Sequence, residues 1–194
     1  MKDFVCESGF KIGEIDNAED LMRAADLTNR FIDRFLMNDV SKGTWRILSG
    51  NPGCGKTHLA RCVYRSCFKH LVDAKESRKS NHSPEITFIR WPELGGDATN
   101  DSEFAVFLKN SLVGADLVII DDIGSDTDAY RAGRNVNRLQ IILDRCENKW
   151  LFATSNLTTD GFQEVYGDRI ASRLRRAVSL WIDAADYRPN KKTQ

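Results

Sequence analysis

Gly50-Asn51-Pro52-Gly53-Cys54-Gly55-Lys56-Thr57 fits the pattern Gly-x-x-x-x-Gly-Lys-Ser/Thr. Upstream, Thr44-Trp45-Arg46-Ile47-Leu48-Ser49 reads as a short strand. Downstream, His58-Leu59-Ala60-Arg61-Cys62-Val63-Tyr64 reads as the start of a helix. In a strand–loop–helix context such a loop cradles phosphates. Its glycines let the backbone curl so that N–H groups point inward, and the helix adds the positive end of its dipole. Gly50, Asn51, Pro52, Gly53, Cys54, Gly55, Lys56, Thr57 and the adjoining His58 are the expected nucleotide-binding residues. Lys56 is expected to reach the β- and γ-phosphates, and the Thr57 hydroxyl to ligate Mg²⁺. Cys54 reads as a tolerated small residue, with redox gating as the alternative.

Outward from the loop, helical and strand periods alternate. Asn17 or Asp20 is a candidate cap for a helix running to about Met37. Leu21, Ala24, Ala25, Phe31, Ile32, Phe35 and Leu36 recur there at helical spacing. The helix after the loop is expected to reach about Val72, followed by a polar loop over 74–84. Glu85 to Arg90 reads as a strand, Trp91 to Asn100 as a turn-rich connection and Asp101 to Leu112 as a helix. Leu117-Val118-Ile119-Ile120-Asp121-Asp122 is an apolar run ending in acids, the pattern of a parallel strand buried on both faces. A helix over 128–146, a strand over 150–156, a helix over 162–176 and a strand over 178–183 follow. The alternation predicts an α/β fold with a parallel sheet covered on both sides.

Asp121 at the end of its strand is placed to hold the Mg²⁺ that bridges the terminal phosphates, the Walker-B role. The plain alternative is a strand-end acid capping the next turn. Asp122 stands where a general base would polarise the attacking water. Its side chain is one methylene shorter than Glu, so slow hydrolysis is expected; a solvated neighbour of Asp121 is the plain alternative. Thr154-Ser155-Asn156 ends the fourth strand, and Asn156 is the candidate to touch the γ-phosphate or position water; a turn-forming Asn is the other reading. Arg169, Arg173 and Arg176 fall at i, i+4, i+7, one helical face. An Arg offered to a neighbouring subunit's site can neutralise charge on the γ-phosphate. Arg175 and Arg176 read more simply as a solvated face.

Taken with Gly167-Asp168-Arg169-Ile170-Ala171-Ser172-Arg173-Leu174 and Asp186-Tyr187-Arg188, these motifs resemble the ATPase domain of the DnaC/DnaI-type replicative helicase loaders. These are AAA+ proteins, close also to the IstB-type transposition ATPases. The resemblance covers about Phe4 to Arg188 and implies a P-loop AAA+ αβα sandwich with a five-stranded sheet in the order 5-1-4-3-2. It implies that Asn156 is sensor one, that Arg173 is a finger acting on the next subunit, and that Arg188 contacts nucleotide in its own chain. It further implies ATP as the ligand, a helical or ring-like homo-oligomer in ATP, and single-stranded DNA bound along its inside. Loaders carry an N-terminal domain that grips the helicase; here residues 1–40 are expected to form only a lead-in and one helix on an ATPase core over 41–188. The tail, 189–194, is expected to be loose, and no C-terminal lid domain is expected.

Composition sets the remaining bounds. The chain has 194 residues, enough for one α/β domain with a full core. No apolar run is long enough to span a membrane and no signal-peptide layout is present, so a soluble cytoplasmic protein is expected. Five cysteines, an odd number without a C-x-x-C pair, argue for reduced thiols. Formal net charge is zero, but nine basic residues and two acids lie between Lys42 and Lys79. Arg61, Arg65 and Lys69 follow i, i+4, i+8, and Arg131, Arg134 and Arg138 follow i, i+3, i+7. Either stripe can track a phosphodiester backbone or can be a solvated face. Base-stacking aromatics are not evidently interleaved, so DNA contact is expected to be backbone-led. The overall expectation is a slowly hydrolysing, oligomer-dependent ATPase that loads or remodels a replicative helicase. A transposition adaptor on double-stranded DNA is the first alternative, and a small-molecule P-loop kinase the second.

Overall fold

A computed structural model describes residues 19–37, 44–76, 85–95, 101–125 and 132–186. Asn17, Arg131, Arg188 and the tail after it lie outside the described residues. The order of elements is α1 (Glu19–Leu36), β1 (Trp45–Gly50), α2 (Lys56–Glu76), β2 (Glu85–Arg90), α3 (Trp91–Gly95), α4 (Asp101–Phe107), β3 (Ala115–Ile123), α5 (Ala132–Arg145), β4 (Trp150–Ser155), α6 (Thr159–Leu174) and β5 (Val178–Ile182). The five strands form one parallel sheet in the order β2-β3-β4-β1-β5. This is the expected 5-1-4-3-2 order read from the other edge.

The interior strand β3 explains the layering. Side chains alternate across a strand, and β3 sends Leu117 and Ile119 to one face, Val118 and Ile120 to the other, all fully buried. The first face is closed by α1 and α2, the second by α3 to α6. On the α1 side, Phe31 meets Trp150 and Phe152 edge-on, with both ring centroids 5.3 Å away. The spacing that marks α1 in the sequence is the spacing of its buried face, Leu21, Ala24, Ala25, Phe31, Ile32 and Phe35.

Where structure and sequence expectation part, burial or side-chain reach is the reason. The connection after β2 opens with a short helix instead of turns. Pro92 suits a first helical turn, where its missing N–H costs nothing, and Trp91 anchors the segment, wholly buried with its indole N–H donating to Tyr166 Oη at 3.1 Å. Helix α2 runs past Val72 to Glu76, through Asp-Ala-Lys-Glu. Asp20 is no cap: it sits inside the first turn of α1, accepting from Arg23 and from the backbone N–H of Asp183. Arg138 is neither solvated nor part of a basic stripe. Its side chain is 3% exposed, with Nη1 donating to Leu94 O at 2.8 Å and Nη2 to Asp101 Oδ1 at 3.0 Å. The guanidinium also lies 5.0 Å over the ring of Phe104. It ties α5 to α3 and α4.

The described cysteines, Cys54, Cys62, Cys67 and Cys146, are all free thiols. Burial pushes Cys67 and Cys146 up to about 12, which keeps both protonated and unreactive. Among the described residues no helix is long and apolar enough to cross a membrane.

Candidate nucleotide site

The phosphate loop leaves β1 at Gly50 and enters α2 at Lys56. Gly53 and Gly55 hold φ of +82° and +98°, the left-handed region where only glycine is unstrained. Gly53 has a second reason to lack a side chain: the carboxylate of Asp186 occupies the space a β-carbon would take. Lys56 is 6% exposed, and its ammonium donates to Gly50 O at 2.8 Å and Asn51 O at 2.7 Å, with Cys54 Sγ at 3.7 Å. The loop thus turns its first two carbonyls back onto the lysine, buries Cys54 in the core beneath it, and leaves Pro52, Gly53 and Gly55 to line the pocket. Asn51 continues the tie in the other direction, donating through Nδ2 to Asp183 Oδ1 at 3.1 Å, just past β5.

Opposite the loop, β3 and β4 slip register. Ile120 pairs with Ala153, yet Ile123 pairs with Ser155. Asp121 and Asp122 therefore stand against the single residue Thr154, a β-bulge that re-aims the strand end. Thr154, wholly buried, links both acids: its hydroxyl donates to Asp121 Oδ1 at 2.6 Å and accepts the Asp122 backbone N–H at 2.9 Å. Asp122 has φ of +67°, the one positive φ outside glycine among the described residues. That strain is held by Thr154 behind it, by Ser125 Oγ donating to its carbonyl at 2.9 Å, and by Asn156 Nδ2 donating to its Oδ1 at 3.3 Å.

Loop and bulge face each other across a pocket of about 310 Å³ lined by Pro52, Gly53, Gly55, Lys56, Thr57, Asp122 and Asn156. Five of the predicted loop residues, Asp122 and Asn156 therefore share one cavity. Gly50, Asn51 and Cys54 support the loop from behind. Asp121, 4% exposed, is not in the lining. His58 turns away along α2, with Nε2 3.4 Å from Cys62 Sγ; burial, helped by the charge of Arg61, lowers its pKa. Arg173 is elsewhere. It closes α6, where it ion-pairs with Asp144 at the end of α5, and it does not line the pocket. Arg176 reaches Glu147 at 3.6 Å. Of the three-arginine face predicted for this helix, Arg169 and Arg173 share one continuous stretch C-terminal to the break at Gly167 (φ +79°, ψ 170°), whereas Arg176 lies beyond the helix end at Leu174.

The family described as IstB-like ATP binding protein matches residues 18–178. This chain belongs to that family. As a member, it is an ATP-binding protein with the AAA+ αβα fold, as its motifs led one to expect. The replicative helicase loader DnaC of Escherichia coli (strain K12) is 28% identical over 167 residues, covering 84% of this chain and 62% of that protein. The chain thus spans about three fifths of that relative's length. Among solved structures, the DnaC helicase loader superposes with a TM-score of 0.62 at 17% identity, covering 85% of this chain and 91% of that one. DnaI superposes with a TM-score of 0.53 at 22% identity, covering 89% of each chain.

Thr154 is the site residue that sequence reasoning passed over in favour of Asn156. Its signal was a hydroxyl that, with that of Ser155, ends an apolar buried strand and needs a partner. Replacing Thr154 with Val keeps the shape but leaves the Asp121 carboxylate and the Asp122 N–H short of a bond. A stability loss of about 1–3 kcal/mol is expected in urea unfolding, together with a higher Mg²⁺ requirement for ATP turnover. Thr154→Ser should restore both, and a Val variant that matches wild type in both would show that the hydroxyl bridge is idle.

Proposed function

We propose that the protein is an ATP-switched assembly factor of DNA replication, a loader or remodeller of a replicative helicase with single-stranded DNA as co-ligand. Its ATPase unit spans 41–188. Hydrolysis is slow and requires a homo-oligomer. The carrying observation is the pairing of a formed phosphate pocket with a displaced arginine. Lys56 is the one cation among the described lining residues, while Arg173 sits on α6 against Asp144. A site so arranged binds ATP in one chain and gains its second cation from the next.

In this reading Lys56 and the Gly53–Thr57 amides hold the phosphates. The donor set suits Mg²⁺, a hard ion that takes oxygen ligands and keeps several waters. Thr57 Oγ1 would bind it directly, and Asp121, set behind the lining, through one of those waters. The ion would neutralise charge developing on the terminal phosphates. Asp122 and Asn156, joined by their hydrogen bond in the pocket wall, orient the attacking water. The strain at Asp122 fixes its short side chain in that wall, and the missing methylene relative to Glu accounts for slow turnover. Arg173 acts in trans, and Arg188 contacts nucleotide in cis. The helicase is the expected protein partner, by likeness to the DnaC loaders, and a cytoplasmic location follows from that role.

The test is ATP turnover measured alone, with single-stranded DNA and with duplex DNA. Single-stranded DNA should stimulate, and a replicative helicase should be retained with the protein in ATP. Stimulation by duplex alone, without helicase, would replace this reading with a transposition-type adaptor.

A further inference from the structure

Helix α2 carries more than the nucleotide loop. From Lys56 to Val72 it contains no acid, and Arg61, Arg65 and Lys69 are all exposed. Between them in the sequence lie Tyr64 and Phe68, whose rings stack at a centroid distance of 5.7 Å and an angle of 14°. Tyr64 is braced from below by the edge of Phe88 on β2, at 5.8 Å and 82°. Phe68 keeps 50% of its surface exposed and Val72 keeps 38%. At about 100° per residue, Tyr64, Phe68, Arg61, Val72, Arg65 and Lys69 fall within an arc of about 140°. The basic and aromatic residues alternate along the sequence, and winding the helix gathers them onto one face.

A single exposed Phe is ordinary. An aromatic pair held rigid by a strand, continuous with an exposed Val and flanked by three cations with no acid between them, is a recognition surface. We propose that this face of α2 binds single-stranded nucleic acid, with Phe68 as the platform on which a base stacks and Arg61, Arg65 and Lys69 as contacts to the phosphates. The inference rests on the reading that single-stranded DNA is a co-ligand, and it says where that strand lies. Charge complementarity selects a polyanion, and the open ring selects unpaired bases, since a duplex hides its base faces in the stack. The helix that bears the surface begins at Lys56 and Thr57, so strand and nucleotide would share one rigid element.

The experiment is fluorescence anisotropy of a labelled oligo-dT with the full chain in ATP, repeated over a range of salt. Phe68→Leu should weaken binding about tenfold or more, and Phe68→Trp should restore it. The triple variant Arg61→Ala/Arg65→Ala/Lys69→Ala should lower the slope of log K against log salt by about 2, at roughly 0.7 per phosphate contact for a single strand. ATP turnover without DNA should stay at wild-type level in Phe68→Leu, which also reports that the fold is intact. If wild type binds oligo-dT and both variants bind it equally, the surface is misassigned while the co-ligand reading stands. If wild type binds no single strand at all, both fall. If the variants bind oligo-dT normally but lose self-association in sedimentation, the face is a protein interface and the proposal is overturned.

Discussion

Lys56→Ala is expected to lower ATP affinity by on the order of 10²–10³-fold, enough to abolish binding at ordinary nucleotide concentrations. The ammonium is buried, already desolvated and held by Gly50 O and Asn51 O at the foot of the loop. Truncating one partner of a buried, hydrogen-bonded charge pair costs about 2–5 kcal/mol, and about 1.4 kcal/mol is a factor of ten in affinity. The same change leaves two loop carbonyls without their donor, so the loop itself loosens. Titration with a fluorescent ATP analogue measures the effect, and a urea curve separates it from unfolding. Tight nucleotide binding by a folded Lys56→Ala protein would show that the loop does not cradle phosphates.

Arg173→Ala should have the opposite signature: ATP binding within about twofold of wild type and turnover reduced on the order of 10³-fold. The residue lies outside its own chain's pocket, so affinity has no reason to change. Its bond to Asp144 is a half-exposed ion pair, side chains 28% and 38% accessible, of a kind that contributes about 0–1 kcal/mol to stability. A purely structural Arg173 would therefore show a small stability loss and no kinetic effect. Action in trans has its own readout. Mixing Arg173→Ala with Lys56→Ala subunits should recover part of the turnover, because the second protein can lend its arginine to the first protein's intact loop. Lysine at 173 should not substitute, since a point charge lacks the planar fork of guanidinium. If the mixture stays inactive, or if Arg173→Ala lowers ATP affinity in step with turnover, the trans assignment is wrong.

Much of this protein is legible in its sequence because the informative patterns are local. The loop motif constrains eight consecutive residues, and the period-two and period-3.6 patterns constrain one element at a time. The strands from Glu85–Arg90 to Val178–Ile182 and the buried face of α1 follow from those periods. Contacts between distant residues carry no such signature. Arg134 and Arg138 read alike as basic residues at helical spacing, yet Arg138 lies in the interior because Leu94 O, Asp101 and the Phe104 ring converge on it. Tyr64 and Phe68 alternate with Arg61, Arg65 and Lys69 along the chain, but only the fold stacks the two rings and braces them on Phe88.

By itself, then, the sequence determined that a nucleotide loop sits between a strand and a helix, that strands and helices alternate into a parallel sheet, and that the chain belongs with the IstB-like ATP-binding proteins and resembles the DnaC-type loaders. Tertiary structure alone decided how the site is assembled. The extra residue in β3 opposite Thr154 swings Asp121 and Asp122 to different depths, one buried behind the hydroxyl and one strained into the pocket wall. Asp186 lies against Gly53, and Arg173 pairs with Asp144 away from the pocket. The division has one cause. Backbone geometry is written in neighbours along the chain, whereas side-chain direction at a strand end depends on the register of a strand some 30 residues away.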